Sequence, residues 1–352
     1  MKIKLAILEA DRNYLKRIVG AFSTEYADRL EVYSFTDDND IYKKLNDSRI
    51  EVFLAGDLFE IDVKKLPVRC GFAYFVNSPD IESVRNQRTI CKYQKVDLIY
   101  RQILELYSEK ADGIRTTGGE EGNAKFIAFQ PVSGGCGAST MAAACALYLA
   151  KLGKRVLYLN LEELGSSTAF FSAEGSSDMS DLIYALKSRK GNFTLKLESC
   201  LRQDPQGVSF FAPSKEALDM LELNTDDKKQ LLKELRLSRL FDYVILDQDF
   251  SLQKEALALL EAVHTVIWIG DGTPISNGKV ERAFRALTIR EEQGADPLIN
   301  RLALIHCQFS NKTGQVSDCG IKVLGGIPRF SNASTRQIME QTAAMTVFAP
   351  LV

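Results

Sequence analysis

Residues 125–150, KFIAFQPVSGGCGASTMAAACALYLA, decide how this chain folds. The opening KFIAFQ is apolar almost without a break, as a strand buried on both faces must be. The alanine-rich run that follows, STMAAACALYLAKLG, has helical character and closes at Gly153, a C-cap residue. Between them lie Gly134, Gly135 and Gly137. Glycines let a backbone turn sharply and bring its N–H groups against an anion. The helix opening near Ala138 adds unpaired N–H groups and the positive end of its dipole. Ser139 stands where a hydroxyl ligates Mg²⁺ in such a loop. Three glycines alone would read as a plain turn; the strand before and the helix after put a phosphate-binding loop level with that plainer reading, and the other strand ends weigh in its favour. It carries no lysine: none occurs between Lys125 and Lys151.

Other strand ends complete the site, because ligands of open α/β sheets bind beyond the carboxyl ends of the strands. RVLYLNLEELGSS ends a strand at Asn160 and Glu162, and FDYVILDQD ends another at Asp247. An aspartate closing a buried apolar run is placed to hold a Mg²⁺-bound water; a helix cap or solvated strand end is its plainer alternative. VLGGIPRF, with Ile327 and Pro328, supplies a loop to lie along a base, and Gln308 is a candidate base contact. His306 and Cys307 read as a packed strand end.

The rest of the chain follows the same alternation. Strands are expected at KFIAFQ, RVLYLNL, GVSFFAP, FDYVILD, TVIWIGD, RLALIHC and KVLGGIP, with helices between them, giving a larger α/β domain at residues 125–352 with a mostly parallel sheet. Residues 109–124, EKADGIRTTGGEEGNA, hold one large apolar residue, Ile114, and read as a linker. Residues 1–108 alternate IKLAILEA, LEVYSF, IEVFLAG and CGFAYFVN with helical segments, among them DRNYLKRIVGAFSTEY, whose Leu15, Ile18, Val19 and Phe22 share a stripe. That is a second, doubly wound α/β domain.

Composition narrows the function. A formal net charge of −2 over 352 residues argues against broad affinity for nucleic acid. No apolar run reaches the roughly 20 residues of a membrane span. The N-terminus lacks the features of a signal peptide. Seven scattered cysteines without a C-x-x-C pair point to reduced thiols and a cytoplasmic setting, and two histidines leave little room for histidine catalysis.

The loop and its companions resemble the MinD/ParA family of P-loop ATPases, whose deviant Walker A reads K-G-G-x-G-K-[ST]. The two lysines of that motif fall on Ser133 and Ala138 here, and the hydroxyl position on Ser139. Asn160 and Glu162 match the family's D-x-D acids, and Asp247 its Walker-B aspartate. GGCGAST, GVSFFAPSKEALDML and LFDYVILDQD are closest to the TadZ/CpaE branch of pilus-assembly proteins, which join a receiver-like domain to a MinD-like ATPase domain. The resemblance implies ATP and Mg²⁺ as cofactors. Residues 134–140 (Gly134, Gly135, Cys136, Gly137, Ala138, Ser139 and Thr140) with Gln308, Ile327 and Pro328 would hold the nucleotide, Ser139 and Asp247 the metal, and Glu162 is the candidate for positioning a water. It also implies a homodimer, partners in a pilus or secretion machine, and recruitment to the cell pole or the inner face of the membrane.

The missing lysines shape the expected activity. Each removes a charge-assisted contact of roughly 1.5–3 kcal/mol, while backbone amides, helix end and metal remain. Phosphoryl transfer, in contrast, depends on cations set against growing charge. The expectation is a nucleotide-holding assembly scaffold with slow or absent turnover. The alternatives are an ATPase switch that cycles on a surface and a response-regulator-like signalling protein.

The smaller domain resembles a CheY-like receiver. Glu9 and Asp11 fit its acid pair and Lys95 its lysine, but Gly56 occupies the phospho-acceptor position and Asp57 falls one residue late. A pseudo-receiver is expected. TDDKKQLLKELRLSRL is expected as a helix capped by Thr225 with a solvated basic face, GKVERAFRALTIREEQ as an ordinary charged surface helix, and the C-terminus lacks a basic amphipathic membrane anchor.

Overall fold

The computed structural model describes residues 2–110, 123–165, 167–188, 192–295, 297–310 and 319–352. The chain forms two units, Met1–Thr117 with Ser188–Cys200, and Gly118–Lys187 with Leu201–Val352. The expected linker at residues 109–124 falls mainly outside the described residues.

The first unit is built on strands β1 (Ile3–Leu8), β2 (Leu30–Phe35), β3 (Val52–Gly56), β4 (Gly71–Val76), β5 (Ser83–Val84) and β6 (Gln87–Cys91), with helices α1 (Arg12–Glu25), α2 (Ile41–Asp47) and α3 (Val96–Lys110). The sheet order is β2-β1-β3-β4-β6-β5, all parallel except the β5–β6 hairpin. This is the doubly wound order with a switch beside β1. β3 and β4 are buried along their whole length, which is why they read as unbroken apolar runs. α1 and α3 cover one face of the sheet, with Leu15, Ile18 and Phe22 of α1 buried there. α2 covers the other through Ile41 and Leu45. The Asp11 carboxylate caps α1 by accepting from the amides of Asn13 and Tyr14. Between β4 and α3 the chain runs through the hairpin, with no helix.

The second unit carries β7 (Lys125–Pro131), α4 (Ala138–Lys151), β8 (Val156–Asn160) and α5 (Met179–Ser188). Next in the chain is α6 (Phe193–Cys200), which belongs to the first unit. The second unit resumes with β9 (Arg202–Gln203), β10 (Val208–Phe210), α7 (Ala217–Leu221), α8 (Thr225–Ser238), β11 (Tyr243–Asp247), α9 (Lys254–Leu260), β12 (Thr265–Gly270), α10 (Pro274–Glu292), β13 (Leu302–Phe309), β14 (Lys322–Pro328) and α11 (Thr335–Thr342). Its sheet runs β14-β13-β12-β7-β11-β8-β10-β9, parallel except for the β9 edge. The order reverses around β7, so the switch point, where such sheets bind ligands, lies at the end of β7. Alanines 142–144 and 146 of α4 are fully buried and let that helix lie close on the sheet. Helix α8 is capped one residue earlier than expected: Asn224 accepts from the Asp227 amide at 2.9 Å while the Asp227 carboxylate accepts from the Asn224 amide, a reciprocal box Thr225 could not make.

Within the first unit α6 packs on α3. Lys196 lies 2.6 Å from Glu105, which also pairs with Arg88, and Arg29 lies 3.1 Å from Glu198. Burial pushes the Glu105 carboxyl up, but the charges of Arg88 and Lys196 outweigh it and hold the group below its usual range.

Candidate functional site

The glycine loop leaves β7 at Pro131 and enters α4 at Ala138. Gly135 and Gly137 take left-handed backbone angles, φ 70° and 88°. At Gly137 a Cβ would also stand 3.0 Å from the Cys307 sulfur, so glycine is needed there for space as well as conformation. Gly134 has open space around it. The loop is tied from below. The Cys136 thiol donates to the Ile269 carbonyl at 3.3 Å, and Ser133 Oγ lies 3.1 Å from Ser276 Oγ in the first turn of α10. The first amides of a helix have no carbonyl one turn back, so those of Ala138, Ser139 and Thr140 stand at the loop. The Ala138 side chain is buried, and Thr140 is half-buried.

Three strand ends meet this loop on one side. Parallel register sets Asp247 of β11 beside Asn160 of β8 and Phe129 of β7. Asp247 is fully buried. Its Oδ2 accepts from the Tyr158 hydroxyl at 2.6 Å and from Asn160 Nδ2 at 3.1 Å. Its Oδ1 is buried with no hydrogen-bond partner among the described residues. Asn160 Nδ2 also donates to Glu162 Oε2 at 3.1 Å, and Asn160 Oδ1 accepts from the Glu162 amide at 3.2 Å. Glu162 Oε1 in turn accepts from Ser139 Oγ at 3.3 Å. Ser139, Glu162, Asn160 and Asp247, expected from sequence to act together, are thus joined in one hydrogen-bonded chain.

Burial and then the nearby Glu162 charge push the Asp247 carboxyl up to about 7, against the pull of the Tyr158 hydrogen bond. Burial, with the Asp247 charge beside it, raises the Tyr158 phenol well above its usual range and keeps it a donor. Among the described residues no cluster of three or more His, Cys, Asp or Glu is arranged to hold a metal. Mg²⁺ is bound through one or two carboxylates plus substrate phosphates. The donor set fits that ion: the Ser139 hydroxyl and the carboxylates of Glu162 and Asp247, the latter with its buried Oδ1 unpartnered.

The base side differs from expectation in detail. Gln308, in a left-handed conformation (φ 58°), donates from Nε2 to the Gly135 carbonyl at 3.2 Å and so buttresses the loop. Ile327 is turned into the hydrophobic core at 1% exposure, while Pro328 is exposed. A cavity of about 200 Å³ opens beside Glu162, lined by Leu159, Met179, Phe211, Lys215 and Met220 among others, none of them from the glycine loop.

Two residues escaped the sequence reading. A Cβ on Gly165 would fall 1.9 Å from Asn160 Oδ1, so only glycine lets the chain fold back over that amide. Tyr158 was hidden within an apolar strand; its signal was a hydroxyl two residues before Asn160 on the same strand face.

The first unit places its lysine otherwise than expected. Strand β6 ends at Cys91, so the lysine after it is Lys92, and Lys95 lies exposed four residues beyond the strand. Lys92 Nζ is 2.8 Å from Glu9 Oε2, both side chains nearly fully buried. A Cβ on Gly56 would stand 3.0 Å from that same Glu9 oxygen. The Asp57 amide donates to the Phe75 carbonyl at 3.1 Å.

Residues 1–108 match the family described as TadZ-like, receiver domain. No curated protein matches the chain. Among solved structures, a ParA family ATPase from Chlorobium tepidum TLS is 15% identical over 64% of this chain and 98% of its own, with a TM-score of 0.51. The septum site-determining protein MinD from Pyrococcus horikoshii OT3, complexed with Mg-ADP, is 13% identical over 62% of this chain and 94% of its own, at 0.48. A putative plasmid partition protein from Borrelia burgdorferi B31 bound to AMPPNP is 16% identical over 65% and 100%, at 0.44. At 15% identity the likeness to the ParA family ATPase speaks for fold alone. No described helix is long and apolar enough to cross a membrane. The chain therefore joins a region that matches the TadZ-like receiver domain model to a larger unit with the fold of a ParA family ATPase, the pairing that the TadZ/CpaE resemblance implied.

Proposed function

We propose that the larger unit holds ATP with Mg²⁺, turns it over slowly or not at all, and uses the bound nucleotide as a ligand of assembly. The observation that carries this reading is the pairing of a kept metal side with an absent cation side. Ser139, Glu162 and the unpartnered Oδ1 of Asp247 converge at the loop, whereas Ser133 is tied to Ser276 and Ala138 is buried. When bound, Mg²⁺ would neutralise phosphate charge. Loop amides would bind the phosphates, Ser139 and Asp247 would hold the metal, and Glu162 would orient a water. With no cation at either lysine position, transition-state charge is poorly met, a loss on the order of 10³-fold or more.

ATP that persists can stabilise a homodimer by mass action. In this reading the protein is a scaffold in the cytoplasm that gathers components of a Tad/Flp-type pilus secretion machine at the pole or the inner membrane face. The receiver-like domain takes no phosphate and serves as a docking surface, since Glu9 and Lys92 satisfy each other and no carboxylate stands at position 56. Neither unit calls for nucleic acid.

The test is to isolate the full chain without added nucleotide and identify what accompanies it by mass spectrometry, then to follow light scattering and phosphate release with ATP and Mg²⁺. ATP retained, mass doubled and little phosphate released is the expected result. Rapid multiple turnover would move the protein to the ATPase-switch class, with a residue such as Arg329 supplying the charge.

A further inference from the structure

We propose that Tyr158 and Asn160 are positioning residues that clamp one oxygen of Asp247, Oδ2, so that the other, Oδ1, is presented to the magnesium of a bound nucleotide. The inference rests on the reading of the larger unit as a nucleotide holder. It goes beyond that reading because it assigns work to a tyrosine in the strand core and to an amide where an acid was expected.

The geometry is specific. Oδ2 takes two donors, Tyr158 OH at 2.6 Å and Asn160 Nδ2 at 3.1 Å, while the equally buried Oδ1 makes no hydrogen bond of normal geometry; the Ser139 hydroxyl, the other candidate metal ligand, is the further donor close enough to pull on the carboxylate. Such an asymmetry fixes which lone pairs face outward. The clamp is itself held. The Tyr158 ring packs edge-on against Phe170 and Phe171, with centroids 6.0 and 5.3 Å away, which fixes where its hydroxyl points. The Asn160 amide has one possible orientation. Its Oδ1 accepts from the Glu162 backbone amide at 3.2 Å, so Nδ2 must face the carboxylates. The backbone of Gly165 closes over it so tightly that a Cβ there would stand 1.9 Å from Oδ1.

An aspartate at position 160 would have no proton to give and would face two other acids, Glu162 and Asp247. The amide instead donates to both, at 3.1 Å each, and spaces them. Residues that orient a metal ligand in this way typically matter 10- to 100-fold for metal affinity.

The experiment is calorimetric titration of ATP into the full chain, once in Mg²⁺ and once in EDTA. Wild-type protein comes first: absence of any binding, or binding that ignores Mg²⁺, overturns the nucleotide reading itself. Given tighter wild-type binding in Mg²⁺, Tyr158→Phe, which keeps the ring, should lose about tenfold or more in Mg²⁺ and stay within about twofold in EDTA. Asn160→Ser, at the half-exposed strand end, should do the same and carries the test if Tyr158→Phe does not fold. The double variant should fall no further than Asp247→Ala. Mg²⁺ dependence preserved in the single variants, or equal losses in Mg²⁺ and EDTA, would overturn the clamp while leaving the nucleotide reading intact.

Discussion

Two sites at strand ends, one in each unit, pair acids with cations in opposite ways. The first keeps its lysine and lacks the acceptor acid: Lys92 pairs with Glu9, and Gly56 faces them without a side chain. The second keeps its acids and lacks its lysines: Glu162 and Asp247 face the loop across Asn160. The first site is closed in charge: Lys92 Nζ stands 2.8 Å from Glu9 Oε2 and the Asp11 amide donates to Oε1, although Oε2 itself makes no hydrogen bond of normal geometry. The second is open, because its acids are joined through a neutral amide and leave one buried oxygen unanswered. On the proposed function, an acid paired with a buried base needs nothing further, whereas acids joined only through an amide would take a cation.

The largest effect should come from the open site. Gly137→Val forces a branched side chain into a left-handed backbone and against Cys307, and should abolish ATP binding by calorimetry with the fold intact. Unchanged affinity would remove the loop from the site.

Breaking the closed site should cost stability instead. Lys92→Ala leaves Glu9 buried without its partner and should destabilise the first unit by about 3–5 kcal/mol, whereas Lys92→Met with Glu9→Gln should be far milder. Denaturant melts of the three proteins test this, and equal losses in the single and double variants would contradict a self-satisfied pair.

The open site should respond to charge removal with the opposite sign. The folded-state value of about 7 for Asp247 lies above its ordinary 3.8, so folding is favoured while the group is protonated and loses that contribution as pH rises through 7. In metal-free buffer Asp247→Asn should therefore raise stability by about 1–3 kcal/mol at pH 8 and lose the advantage near pH 4. Thermal melts at the two pH values suffice; a destabilised variant at pH 8 would mean that the acid is answered without metal.

The smallest expected change is none. Acetyl phosphate with Mg²⁺ should leave the intact mass unaltered, and a stoichiometric adduct on Asp57 would reopen the first site as a working receiver.

The fold was legible wherever strands are buried on both faces, since β3, β4, β7, β11 and β12 then spell unbroken apolar runs. Strand β6 was not, because QRTIC buries only Ile90 and shows the polarity of a flank. That miss carried the receiver lysine with it: without β6 the strand end slid down the chain and Lys95 stood in for Lys92. In the second unit the glycines and acids were readable because they follow apolar strands, where their residue types stand out. Tyr158 and Gly165 were not, for one acts through a hydroxyl inside a core strand and the other through what it lacks. Gln308 was seen, but its role depends on a left-handed backbone that its residue type does not announce.

Helix α6 has a consequence for how such proteins can be taken apart. The polypeptide passes between the two units three times, since Ser188–Cys200 returns to the first from the middle of the second. A fragment ending near residue 110 would keep Glu105 and lose Lys196; a fragment beginning near residue 123 would carry an orphan helix with Leu195 stripped of its neighbours. Swapping receivers between relatives at the linker would damage both halves. Because the chain enters the first unit twice, the two units have to be exchanged, truncated or inherited as one piece.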